Sequence, residues 1–100
     1  MDPAVVAKVH DALRPMVLGC AATAPVGDMG PEAEVHVTLR VHIADGAVGV
    51  DEVFAVPRDI GDHAREIAEC VHAKAANLAV ATDHRALRDY DLSFPFRLRR

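Results

Sequence analysis

Residues 34–56 read EVHVTLRVHIADGAVGVDEVFAV. From Glu34 to Ala44, Val35, Val37, Leu39, Val41 and Ile43 alternate with Glu34, His36, Thr38, Arg40 and His42, the period-two pattern of a strand with one buried face. Asp45-Gly46 follows, a pair that tolerates the positive φ needed at both positions of a two-residue hairpin turn, and Ala47 to Val56 runs back from it. An uninterrupted register puts Ile43 opposite Val48, Val41 opposite Val50, Val37 opposite Phe54 and Val35 opposite Val56 on the inner face, with Arg40 opposite Asp51 on the outer face. That register contains one conflict: Glu52 falls opposite Leu39, on the apolar side. Either Glu52 is a half-buried carboxylate with a raised pKa, fit to accept a proton or bind a metal, or a β-bulge at Asp51-Glu52 turns both carboxylates to solvent and brings Val53 inward. The bulge is preferred, because no neighbouring residue supports a buried acid.

Beyond the hairpin, Pro57 ends the second strand and Asp59 is placed to cap a helix, with Asp62 in its first turn. Ile60, Ala64, Ile67, Val71, Ala75 and Leu78 form its apolar stripe, and residues 78–82 read as a short strand or a last turn. Upstream, Asp2-Pro3 starts a first helix with Val5, Val9 and Leu13 on one side, and Pro15 is expected to stop it near Arg14. The small apolar run 16–24 reads as a buried strand or a continuation of the first helix, with the strand preferred, and the breaker-rich residues 25–33 as a loop suited to be a mobile flap. Tyr90, Leu92, Phe94, Phe96 and Leu98 alternate with polar residues in a last strand, whose Pro95 belongs at a sheet edge. The order α-β-β-β-α-β implies one α+β domain over residues 1–100, a two-layer sandwich of a largely antiparallel sheet on two helices.

Length and composition set the scale. A 100-residue, 10.7 kDa chain should expose roughly 5,500 Å² when folded. Half of it is hydrophobic (51%), yet only 4% is aromatic, and Ala and Val dominate, so a monomer buries less than that fraction suggests and self-association is favoured. The Ala- and Arg-rich composition fits a GC-rich, bacterial-like genome. A net charge of −4 argues against a general nucleic-acid binder, although residues 84–100 form a local basic patch ending in Arg97, Arg99 and Arg100. Cys20 and Cys70 are too few for a disulfide scaffold and read as two buried, reduced thiols, in keeping with the soluble, cytoplasmic protein expected from a chain without a transmembrane run. Val17-Leu18-Gly19-Cys20 is preceded by Lys8, His10, Asp11, Arg14 and Pro15, where a lipoprotein signal needs an apolar run, and no stretch is long enough for a transmembrane helix.

No catalytic residue is assigned: Ser93 is the sole serine, neither cysteine lies in a nucleophile signature, and no glycine-rich phosphate loop is present. His36 and His42 share a strand face but stand roughly 20 Å apart; Glu69-x-x-His72 is a single copy, and His63, Glu66 and Cys70 have no recognised ligand spacing, so no metal or other cofactor is expected. The candidate interaction face is the sheet surface turned away from the helices, carrying His36, Thr38, Arg40, His42, Asp51 and Glu52. The reading is a non-catalytic homo-oligomeric or protein-partner-binding module with no membrane contact. The alternative is a ligand-binding protein or enzyme whose pocket lies between the sheet and the 25–33 loop, using Glu52, Arg40 and His42. A nucleic-acid contact through the Arg tail ranks last.

Overall fold

The long hairpin organises the structure, a computed structural model that describes residues 1–98. Strands β1 (Glu34–Ala44) and β2 (Ala47–Arg58) are joined through Asp45 (φ 53°) and Gly46 (φ 77°), the two left-handed residues that let a two-residue turn follow the twist of its strands. Strand β3 (Val80–Ala81) pairs with Ala47 and Val48, and β4 (Leu87–Arg97) lines the other side of β1, giving an antiparallel sheet in the order β3-β2-β1-β4. Helices α1 (Pro3–Ala21) and α2 (Ala64–Ala75) cover one face, so the expected two-layer α+β sandwich is the observed fold. The accessible surface, 6002 Å², slightly exceeds the size-based expectation because the hairpin draws the molecule out to 44 × 22 × 17 Å.

The sheet contains the bulge. Val41 pairs with Val50, but Arg40 pairs with Glu52, leaving Asp51 as the extra residue. Every later position on β2 is therefore displaced by one: Leu39 faces Val53, Val37 faces Ala55 and Val35 faces Pro57. Val53 is buried, whereas Phe54 and Val56, which the uninterrupted register turns inward, are 53% and 52% exposed. A half-buried Glu52 is thus excluded, and its carboxylate is exposed. The physical reason is that one backbone kink costs less than a desolvated, unpaired acid.

Residues 16–24 are not a strand. Helix α1 passes through Pro15 and ends at Ala21, and the short β3 supplies the fourth strand instead. Asp2 caps α1 by accepting from the Ala4 amide at 2.9 Å, and Pro3 occupies the first turn, where its missing N–H costs nothing. Pro15 lies on the exposed side, where water can serve the carbonyl that proline leaves without a donor. The stripe Val5, Val9, Leu13, Val17 and Ala21 continues unbroken across it. Burying Val17, Cys20 and Ala21 offsets a penalty of about 3 kcal/mol for an interior proline.

That extension carries Cys20 alongside α2, where it forms a disulfide with Cys70 across 50 residues of chain, Cα–Cα 5.7 Å. The expectation of two reduced thiols is corrected for the same reason as the strand: a helix ending near Arg14 would not have placed Cys20 there. Asp59 also departs from its expected role. Gly61 (φ 64°) opens a 3-10 turn, Gly61–His63, ahead of α2, and Asp59 itself turns back (φ 55°). Its carboxylate accepts from the Glu32 amide at 2.9 Å and its carbonyl from the Gly30 amide at 2.8 Å. Together with buried Met29 and Ala33 and the His63–Asp28 contact at 3.1 Å, this ties down the loop that the sequence marks as a flap. Strand β4 turns Leu92, Phe94 and Phe96 toward α1, where His10 stacks on Phe96 at 5.2 Å and meets Phe94 edge-on at 5.6 Å. Those two phenylalanines provide the bulk that an alanine-rich core lacks.

Candidate interaction surface

Even-numbered residues of β1 project onto the face opposite the helices, and β2 and β4 supply their neighbours in register. Thr38 lies between Phe54 and Ser93, with its hydroxyl 2.9 Å from that of Ser93. Arg40 lies between Glu52 and Asp91 and donates from Nε to Asp91 at 3.1 Å. The Asp91 hydrogen bond, followed by the charges of Asp91 and Glu52, raises the Arg40 pKa above its usual value, so the guanidinium is a fixed cation here. His36 lies between Val56 and Pro95.

His42 is flanked by irregularities on both sides. On the β2 side it faces Gly49, next to the Asp51 bulge, and its Nδ1 is 2.8 Å from the Asp51 carboxylate. On the β4 side Val41 pairs with Tyr90 and Ile43 with Leu87, so Arg88 and Asp89 together stand opposite His42, and Asp89 takes φ 54°. The imidazole lies over Gly49, where a Cβ would come within 2.6 Å of Cε1. A cavity of about 310 Å³ at this end is lined by His42, Asp51, Arg88 and Asp89 with Ala44 and Leu87.

The six sequence candidates therefore share one face, in two groups. Arg40, His42, Asp51 and Glu52 cluster at the bulge, while Thr38 and His36 lead away from it along β1. The 25–33 loop joins β1 at the opposite end, six to eight residues from Arg40 and His42, which is roughly 20 Å or more along a strand. Loop and side chains do not line one common pocket. Among the described residues no three His, Cys, Asp or Glu side chains converge as metal ligands. Arg97 is exposed at the end of β4, while Arg99 and Arg100 lie outside the described residues.

Sequence reasoning left Phe54 and Val56 out of this surface. They are the most exposed large apolar side chains described, at 53% and 52%. The signal was present in Glu52, because accepting the bulge that removes the acid from the core also sends Phe54 and Val56 outward. A groove of about 500 Å³ runs beside them along the outer edge of β2, between Val53, Ala55 and the α2 residues Ala68, Glu69 and His72. No helix in the described residues is long and apolar enough to cross a membrane. Comparison of the chain with protein-family models, curated proteins and solved structures finds no match.

Proposed function

We propose that the protein is a small, non-catalytic assembly module that works as a homo-oligomer through the uncovered face and edge of its sheet. The observation that carries this reading is the pair Phe54 and Val56, exposed beside a stretch of β2 that has no strand on its outer side beyond Val48 among the described residues. Exposed large apolar side chains next to unpaired backbone groups are a surface that association covers. The polar ladder Thr38–Ser93, Arg40–Asp91 and His42–Asp51 fits the rim of a contact better than a reaction centre, since the two hydroxyls bond to each other and His42 bonds to Asp51 rather than to either of them.

The Cys20–Cys70 bridge supports an oxidising compartment as the place of action, rather than the cytoplasm expected of reduced thiols. A second reading, binding of a small polar ligand, draws support from the cavity beside His42 and Asp51. Native mass spectrometry of the untagged protein separates the two readings. An oligomer free of adducts is expected. A monomer would overturn the assembly reading, and a monomer carrying a stoichiometric added mass would replace it with the second.

A further inference from the structure

The outer edge of β2 has a sequence that complements itself. A two-residue loop makes Ala44 and Ala47 the closing hydrogen-bonded pair, so by alternation the even-numbered residues of β1 turn their backbone groups toward β2. Phe54, Val56 and Arg58, opposite Thr38, His36 and Glu34, are thereby engaged by β1, while Val53, Ala55 and Pro57 direct theirs away from the sheet. Pro57 has no N–H to offer β1 and occupies a position where none is needed. Strand β3 covers only Ala47 and Val48, and the edge is open from Gly49 to Arg58 among the described residues.

Resting on the assembly reading, we propose that two copies of this chain join antiparallel along β2 about a two-fold axis at Ala55, continuing one sheet through both. In that register Ala55 faces the partner's Ala55, Val53 faces the partner's Pro57, Phe54 faces the partner's Val56 and Glu52 faces the partner's Arg58. The Ala55 pair exchanges two backbone hydrogen bonds, and each Val53 amide donates to the partner's Pro57 carbonyl, making four in all. Phe54 with the partner's Val56 is an aromatic and β-branched cross-strand pair on one face, formed twice by symmetry. Glu52 and Arg58 are both exposed, and neither makes an ion pair or hydrogen bond to a described residue; Glu52 feels the charge of Arg40 across the strand, but the Arg40 hydrogen bond goes to Asp91. Moving the axis to Phe54 or to Val56 loses both charge pairs. The β4 edge carries Asp91 and Arg97 at a similar spacing, but Asp91 is already paired with Arg40, and the exposed positions between them are Ser93 and Pro95. Only the β2 edge exposes an apolar pair, Phe54 and Val56, between its two charges among the described residues.

The test uses Glu52→Arg and Arg58→Glu in the full chain, with far-UV circular dichroism to confirm folding and native mass spectrometry to weigh the species. Wild type is expected to be a dimer. Each single variant places like charges opposite one another twice and should dissociate on the order of tenfold more readily or worse. Mixing the two variants restores both opposite-charge pairs, so a heterodimer of one of each should form where neither homodimer does, and the doubly exchanged Glu52→Arg/Arg58→Glu protein should dimerise again. A wild-type dimer unaffected by either folded single variant refutes the β2 edge while leaving the assembly reading intact. A wild-type monomer overturns both.

Discussion

Reducing the Cys20–Cys70 bridge should lower the stability of this protein by about 4 kcal/mol without changing its fold. The bridge closes a loop of 50 residues, and the chain-entropy relation for a loop of that length gives about 14 cal/mol/K removed from the unfolded ensemble, or about 4 kcal/mol at 25 °C. The folded state retains its other constraints on the two helices: Cys20 stays buried between Val17 and Ala21, and α2 stays anchored by Ile67, Val71 and Ala75. Urea unfolding of oxidised and reduced protein, followed by far-UV circular dichroism, measures the difference directly. With a slope of about 1–1.5 kcal/mol/M for a chain of this size, the midpoint should fall by about 3 M and the thermal midpoint by about 20 °C, with the slope little changed. Reduction is a cleaner perturbation than replacing the cysteines, which would also remove buried side-chain volume. A midpoint shift under about 0.5 M would show that the bridge does not restrain the unfolded chain and would refute the reasoning. A native-like thermal midpoint after reduction would likewise remove the argument for an oxidising compartment.

Other outcomes follow from the same contacts. Pro15→Ala restores an amide to the interior of α1 on its exposed side and should stabilise the protein by about 1–3 kcal/mol, read as a raised urea midpoint. Phe96→Ala removes a 4%-exposed ring stacked on His10 and should cost about 3–5 kcal/mol, enough to unfold much of the reduced protein at 37 °C. Gly49→Ala puts a Cβ 2.6 Å from the His42 ring and should swing it away from Asp51. In a double-mutant cycle, Asp51→Ala should then have little effect in the Gly49→Ala background, whereas an unchanged effect would show that the His42–Asp51 contact survives.

Much of the architecture was legible because it rests on local rules. Alternation from Glu34 to Ala44 and from Tyr90 to Leu98, the Asp45-Gly46 turn, and the stripe on α2 each depend on side chains a few residues apart, and burial of one face leaves little choice of period. The bulge was legible too, through the single misplaced charge of Glu52, although its consequence for Phe54 and Val56 becomes plain only once the register is followed strand by strand. His36, Thr38, Arg40 and His42 could be named because parity along β1 decides which face each occupies, whereas Glu52 reaches that face only through the bulge. Their partners could not: Ser93 and Asp91 come from a strand some fifty residues away in sequence.

What only the tertiary structure decided lies where local preference and packing disagree. Pro15 argues for a helix end, yet burial of Val17, Cys20 and Ala21 against the rest of the core keeps the helix going, and that continuation brings Cys20 to Cys70. Asp59 is a good cap by type, but the loop at Gly30 and Glu32 claims its oxygens first. Strand pairing order, a β2 edge left open among the described residues and the separation of the 25–33 loop from Arg40 and His42 are likewise products of long-range contact. By itself the sequence determined the periods, the turn and the faces of β1 and β4, since these are set by neighbours in the chain, while the bulge reassigns Phe54 and Val56 on β2. Which edge remains uncovered, and what meets across the helices, depends on the balance of burial summed over the whole core, which no short window of sequence contains.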